Sequence, residues 1–352
     1  MSDVSESRPI LSVCIPAFGS GAWLVARVRA WLAAVESAAV EIVVSDNASS
    51  DGTAEALAAI GDRRLRLVRQ ASNVGPFENQ LRALEAARGR YVMQMTDKDE
   101  LLPDGLPAAL AALEPLDVAC GEFVLNSAGG AGGSGDVRRG VAAYKRYGLL
   151  FTHPSGHFFS SGTLERFGLL ARLRALDPIV RPYSTDYLVS LALLCGAYAR
   201  IDRPLVAMNL PPYEGASSSV TYRDPSTFYF TPDFLAREFA AYLGFLRGEL
   251  RLSPLARLRL AAHFAGGAVF SQMTLWYRWR LEDEATCAWY GADAAFRERE
   301  LAQDLEGNAA ARLRSLAGIG RLERLAVRAG VARRRRQRRR MALPENIGRR
   351  TT

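Results

Sequence analysis

Four short apolar runs, each ending in polar residues and separated by helical stretches, constrain this chain more than any other feature. Residues 10–15 (ILSVCI) end at Pro16, and residues 41–45 (EIVVS) end at Asp46. Residues 65–69 come shortly before Asn73, and residues 91–95 (YVMQM) lead into Asp97-Lys98-Asp99. Between the runs, residues 22–37, 50–60 and 75–88 carry helical periodicity. In the first of these, Trp23, Val25, Val28, Trp31, Leu32 and Val35 form the apolar side. Residues 106–113 then read as a further helix and 118–124 as a further strand. Such alternation predicts an α/β fold: a Rossmann-like, mostly parallel sheet flanked by helices. Open sheets of this kind bind ligands outside the carboxyl ends of their strands. That rule gathers Pro16-Ala17-Phe18-Gly19, Asp46-Asn47, Asn73 and Asp97-Lys98-Asp99 on one rim.

Asp97 and Asp99 are spaced i, i+2 on a loop and can reach one divalent cation, or one cation and one ribose. Hard cations prefer carboxylate oxygens, and such a cation offsets the charge that builds on a departing diphosphate. Taken alone, a D-x-D triplet reads more readily as an exposed acidic turn. Its place directly after a buried strand and before Leu101-Leu102-Pro103 is what favours a site. Asp46, at the end of its strand, can accept the imide N–H of a uracil or thymine ring. A turn-capping aspartate fits that position nearly as well. Asp51 reads chiefly as a cap of the next helix.

LSVCIPAFG, EIVVSDNASSDGT and NVGPFENQLRALEAARGRYVMQMTDKDELLPDGL, in this order and at these separations, resemble glycosyltransferase family 2, with the GT-A fold. The resemblance is dense over residues 9–115 and loose over 150–212. It implies inverting transfer from a nucleotide-activated sugar, with Mg²⁺ or Mn²⁺. Carried over by position, Pro16, Ala17 and Phe18 line the nucleotide pocket and Asp46 binds the base. Asn73 and Asn79 lie beside the nucleotide. Asp97 meets ribose or metal, and Asp99 is the firmer metal ligand. Two residues depart from the pattern. Asn47 stands where a second acid is usual, and Lys98 puts a positive charge between the two aspartates, where it opposes a metal or touches a phosphate. An inverting enzyme also needs a base for the acceptor hydroxyl. Asp186, in Ser184-Thr185-Asp186-Tyr187 ahead of an apolar helix, matches that place, and a capping role is its alternative. Glu165 and Asp177 are less well placed.

His153 and His157 are i, i+4, but Pro154 and Gly156 argue against the helix that would let them share a metal. A loop near the acceptor suits them better. Trp276, Tyr277 and Trp279 form an aromatic group that reads as helix packing, with sugar stacking as the alternative. Residues 129–135 (GGAGGSG) are a flexible connection, or else a cover over the donor.

The net charge of +8 is concentrated at one end. Residues 328–352 hold ten Arg and one Glu, a local +9 that leaves residues 1–327 at −1. A protein built to grip duplex nucleic acid spreads its basic residues over the folded face, so nucleic acid is not the expected partner. The four scattered cysteines lack C-x-x-C pairing, the N-terminus lacks the pattern of a secretory signal, and no run reaches about 18 apolar residues. Residues 261–277 carry no formal charge and suit an interfacial or buried helix. Together these predict a cytoplasmic protein, peripheral on the inner face of a membrane through its Arg-rich end. The expected organisation is a GT-A domain over 1–231 (nucleotide-sugar half 9–125, acceptor half 140–215), a helical region over 232–327, and a disordered or membrane-bound tail over 328–352. The expected activity is transfer from a UDP- or dTDP-sugar to a hydroxyl of a cell-surface glycan or lipid-linked oligosaccharide. The rival readings are a catalytically silent nucleotide-binding scaffold in polysaccharide assembly and a sugar nucleotidyltransferase. The latter lacks its basic phosphate loop in PAFGSGAW.

Overall fold

The structure, a computed structural model, describes residues 8–35, 39–125, 136–151, 153–209, 229–249, 252–284, 287 and 292–342. The glycine-rich stretch 129–135 lies outside them. The chain forms two compact units, one of residues 1–148 and 152–221, the other of 149–151 and 222–352.

The first unit holds one sheet with helices packed against it. Its strands are β1 (Leu11–Ala17), β2 (Val40–Asp46), β3 (Leu65–Arg69), β4 (Tyr91–Gln94), β5 (Glu100–Leu101), β6 (Cys120–Leu125), β7 (Asp136–Arg138), β8 (His157–Ser160) and β9 (Tyr198–Ala207). Their order is β3-β2-β1-β4-β8-β6-β9-β5, and β7 also pairs with β9. From β3 to β4 every pairing is parallel. β8 then enters antiparallel to both β4 and β6, so the second half of the sheet is mixed. The expected α/β class therefore stands, with its parallel character confined mainly to the first four strands. Gly121 of β6 is needed because the Phe158 ring and the Ala199 carbonyl leave no room for a Cβ there.

β2 is buried at every position, and its Ile42-Val43-Val44 centre is the apolar run that marks it in the sequence. Helix α1 (Gly21–Ala34) turns Leu24, Val28, Trp31 and Leu32 into the same core as β1, β2 and β4. Helices α2 (Thr53–Ala58), α3 (Pro76–Ala86) and α4 (Leu106–Leu113) follow β2, β3 and β5. β1 runs through Pro16 to Ala17 rather than stopping at the proline. The ladder to β4 ends at Cys14↔Gln94, so the N–H that Pro16 lacks faces a strand that has already finished. After the sheet's middle come α5 (Gly140–Tyr147), α6 (Ser161–Arg166), α7 (Leu169–Arg174) and α8 (Ser184–Leu193).

The second unit is helical. Helix α9 (Pro232–Gly248) opens on a Thr231 side-chain cap. Helix α10 (Pro254–Phe264) continues through two π-helical segments, Ala265–Val269 and Gln272–Trp276, into α11 (Tyr277–Glu282). Tyr277 packs with Phe230, Leu281 and Leu305, and donates to Glu300 Oε2 at 2.9 Å. Helix packing, as expected for the aromatic group, thus holds for Tyr277, whereas Trp276 and Trp279 stay exposed.

A final helix spans Arg321–Ala342. Residues 328–342 of the tail expected to be disordered or membrane-bound are helical, while 343–352 lie outside the described residues. A run of like charges alone would melt, but here tertiary contacts hold it. Val327 and Val331 are buried, and Gly330 and Gly266 bring two backbones together where a Cβ on either would collide. Arg338 meets Glu306 at 2.7 Å and Thr274 at 3.1 Å.

Candidate active site at the carboxyl ends of β1, β2 and β4

The loops after β1 and β2 are stitched together. Gly19 N–H donates to Ser49 Oγ at 3.0 Å, and Gly21 N–H donates to Thr53 Oγ1 at 2.8 Å. Asp51 accepts from Thr53 N–H at 3.1 Å in a turn just ahead of α2, whose N-cap residue is Gly52 rather than Asp51. Ala17 is buried, and its carbonyl accepts from Asn47 N–H at 2.9 Å, while Pro16 and Phe18 are partly exposed on the same rim. Ala48 adopts φ 61°, a left-handed conformation that costs a residue with a Cβ about 1–2 kcal/mol. The flanking hydrogen bonds sustain it.

Asp46 closes β2 and is fully buried. Its Oδ2 accepts from Ser49 N–H at 3.2 Å, with Arg69 Nε 4.0 Å away. Its Oδ1 is buried and has no hydrogen-bond partner. A desolvated carboxylate oxygen without a donor is costly, so Asp46 Oδ1 is an acceptor on this rim whose hydrogen-bonding capacity is unmet.

Asn73 and Asn79 differ in kind. Asn73 is exposed, and its Oδ1 accepts from Asn47 Nδ2 and Gly75 N–H, both at 2.9 Å. Asn79 is buried. It accepts from Ser45 Oγ at 2.7 Å and donates to the Ser45 carbonyl at 2.8 Å and the Ala17 carbonyl at 3.3 Å. Its amide is spent on tying the ends of β1 and β2 together behind the rim, so it positions the loops rather than facing a ligand.

The Asp97-Lys98-Asp99 loop divides sharply. Asp97 Oδ2 accepts from Ser20 Oγ, and Lys98 Nζ stands 3.3 Å from Asp97 Oδ1. Asp99 lies deeper. Its Oδ2 accepts from Thr96 Oγ1 at 2.8 Å and Ser155 Oγ at 2.5 Å, and lies 2.5 Å from His153 Nε2. Its Oδ1 accepts from Asn209 N–H at 3.0 Å. Burial pushes the Asp99 carboxyl up, but His153, Ser155 and the Asn209 N–H outweigh it and hold the group below the usual carboxylate range. A carboxylate offers about two lone-pair directions on each oxygen; here three groups crowd Oδ2 and the Asn209 N–H takes one direction on Oδ1. Asp99, the firmer metal ligand in the sequence reading, therefore sits as an anchor joining three chain segments. Among the described residues no group of three or more His, Cys, Asp or Glu is arranged to hold a metal. The donor set as it stands does not fit a metal held by Asp99.

Asp186 lies in the first turn of α8 and is buried. Its neighbour Thr185 donates to Gln94 Oε1 at 3.0 Å, so the start of α8 abuts the carboxyl end of β4. Gln94 also accepts Gly156 N–H through its carbonyl at 3.0 Å, which ties the His153–His157 segment to the same point. His157 turns the other way. It belongs to β8 and is buried, and burial lowers its pKa. Ser20, Thr96, Ser155 and the role of His153 were not visible from motif spacing. His153 is 54 residues from Asp99 and no periodicity links them.

Comparison with known proteins agrees with this architecture. Residues 12–170 match the family described as Glycosyl transferase family 2. An uncharacterised protein of Mycobacterium tuberculosis is 36% identical over 103 residues, which is 29% of this chain and 32% of that protein. The succinoglycan biosynthesis protein ExoO of Rhizobium meliloti is 35% identical over 101 residues, 29% of either chain. The matches thus span about a third of the length of these curated relatives. Residues 1–349 of TarS from S. aureus, solved with UDP, superpose with a TM-score of 0.57 at 14% identity, covering 93% of this chain and 91% of that one. The same protein with UDP-GlcNAc gives a TM-score of 0.54 over the same shares. At this identity the likeness is one of fold.

Proposed function

We propose that the chain, whose residues 12–170 match glycosyl transferase family 2, is an inverting transferase acting on a UDP- or dTDP-sugar. The observation that carries the donor assignment is Asp46 Oδ1, a buried carboxylate oxygen without a donor at the end of β2. Uracil and thymine would offer that oxygen a single imide N–H, whereas guanine pairs its N1–H with an adjacent amino group and would need a second acceptor, and Asp46 Oδ2 is already taken by Ser49 N–H. The UDP and UDP-GlcNAc bound by TarS support a uridine donor. The name of the ExoO relative supports a growing glycan or lipid-linked oligosaccharide as acceptor. The Arg-rich C-terminal helix supports work at the inner, anionic face of a membrane.

In this reading Asp46 takes the base, and Pro16, Ala17, Phe18 and Asn73 border it. Asp97 faces the ribose and Lys98 supplies positive charge at the diphosphate. Asp186 removes the proton of the acceptor hydroxyl. That oxygen's electron pair forms the new bond to the anomeric carbon as the bond to the diphosphate breaks, and the leaving group keeps those electrons. The family resemblance implies Mg²⁺ or Mn²⁺, yet Asp99 Oδ2 is crowded by Thr96, His153 and Ser155, and the Lys98 ammonium stands beside Asp97.

Calorimetry tests the donor assignment. UDP or dTDP should bind at least tenfold tighter than GDP, and equal affinities would remove the Asp46 role. A second reading, a silent nucleotide-binding scaffold, is favoured by the closure of Asp99. It predicts the same binding without turnover.

A further inference from the structure

We propose that the Leu275–Trp276–Trp279 face of the second unit, together with the arginines of the Arg321–Ala342 helix, docks on an anionic lipid surface. The proposal sharpens the membrane location given above, but rests on observations that involve neither donor nor acceptor.

Nine large hydrophobic side chains are exposed among the described residues, and three of them fall within residues 275–279. Leu275 is 53% exposed, Trp276 49% and Trp279 41%. The two indole rings touch edge to face, with centroids 5.9 Å apart. They therefore form one knob rather than two isolated side chains. Contiguous exposed apolar groups of this kind mark contact surfaces. Tryptophan, with an apolar body and one polar N–H, settles at the boundary between lipid headgroups and chains.

The basic helix is clamped next to this knob. Arg338 Nη1 reaches Thr274 Oγ1 at 3.1 Å, one residue before Leu275, and Arg334 Nη2 reaches Ser271 Oγ at 3.4 Å. Arg334 and Arg338 thus hold this helix against the stretch that leads into the tryptophans, and Arg333 and Arg336 on the same helix are exposed. No helix among the described residues is long and apolar enough to cross a membrane. An apolar knob beside a polybasic helix suits a protein that lies on an anionic surface. Single-stranded nucleic acid would use the ring faces and the arginines. It gives no role to the aliphatic Leu275, and that favours lipid.

Sedimentation of the full chain with vesicles tests this. Vesicles of phosphatidylglycerol with phosphatidylcholine should carry the protein down, and phosphatidylcholine alone should carry much less. Tryptophan emission should shift to shorter wavelength on binding. The double variant Trp276→Ser/Trp279→Ser should lower partitioning about tenfold, or about 1.4 kcal/mol. Arg333→Gln/Arg336→Gln should weaken binding to the anionic vesicles and flatten its salt dependence. Circular dichroism and unchanged UDP calorimetry would show that both variants are folded. They would also separate failure here from failure of the donor assignment. Wild-type partitioning by the tryptophan variant would overturn the proposal. So would Trp-dependent dimerisation without vesicle binding, or an oligonucleotide that displaces the vesicles.

Discussion

Replacing Asp99 by Asn distinguishes an anchor from an open metal ligand. An open ligand can lose its charge with the fold intact. An anchor cannot, because Asp99 is buried and four donors converge on it. The Thr96 and Ser155 hydroxyls can rotate towards other acceptors. The His153 ring nitrogen and the Asn209 N–H are fixed by geometry and lose most. Each buried donor left without its charged partner costs about 1–3 kcal/mol. The fixed pair, with some loss at the hydroxyls, gives roughly 3–5 kcal/mol, in the range found when one partner of a buried charged pair is removed. That is a large part of the 5–15 kcal/mol that stabilises ordinary domains. Urea unfolding of wild type and Asp99→Asn at neutral pH reads the difference, which at a slope of about 1–3 kcal/mol per M moves the midpoint by more than ~1 M. A loss below about 1 kcal/mol would refute the anchor reasoning.

The other predictions concern neighbouring groups. Asp46→Ala removes the acceptor proposed for the base, and a hydrogen bond to a charged group is worth about 1.5–3 kcal/mol. The UDP dissociation constant should rise roughly 10–150-fold by calorimetry, and a change under threefold would contradict the assignment. Asp186→Asn should keep nucleotide binding and lose transfer; loss of both in a folded variant would make Asp186 structural. Glu78 accepts from Arg174 at 2.9 Å, and that bond, aided by Arg82, holds its carboxyl below the usual range. With the folded pKa depressed, its contribution is intact above the unfolded value of about 4.3 and fades as pH falls through the folded value. The melting-temperature gap between wild type and Glu78→Gln should be present at pH 6 and close as the pH drops below 4. A gap that widens in acid would reverse the sign.

Much of the first unit could be read from the sequence, for a physical reason. β1, β2 and β4 are buried on both faces and therefore stand out as short apolar runs, each followed at once by the polar residues of its loop. β8 was not legible. Four residues between Pro154-Ser155-Gly156 and Ser161-Gly162 look like a loop, and only pairing with β4 and β6 makes them a strand. The closure of Asp99 was equally hidden, because His153 and Asn209 reach it only through tertiary folding. Asn79 reads as a nucleotide contact until Ser45 and Ala17 are seen to consume its amide. The arginine run looked disordered because like charges repel. Burial of Val327 and Val331 and the Arg338–Glu306 pair offset that repulsion.

The central claim is turnover of a pyrimidine nucleotide sugar at the rim defined by Asp46 and Asp97-Lys98-Asp99. The most direct measurement is release of free nucleoside diphosphate when the full chain is incubated with a panel of UDP-, dTDP- and GDP-sugars. The account predicts release from at least one UDP- or dTDP-sugar, abolished by Asp186→Asn, and none from the GDP-sugars. Release from GDP-sugars alone, or from no donor while UDP still binds, would contradict it.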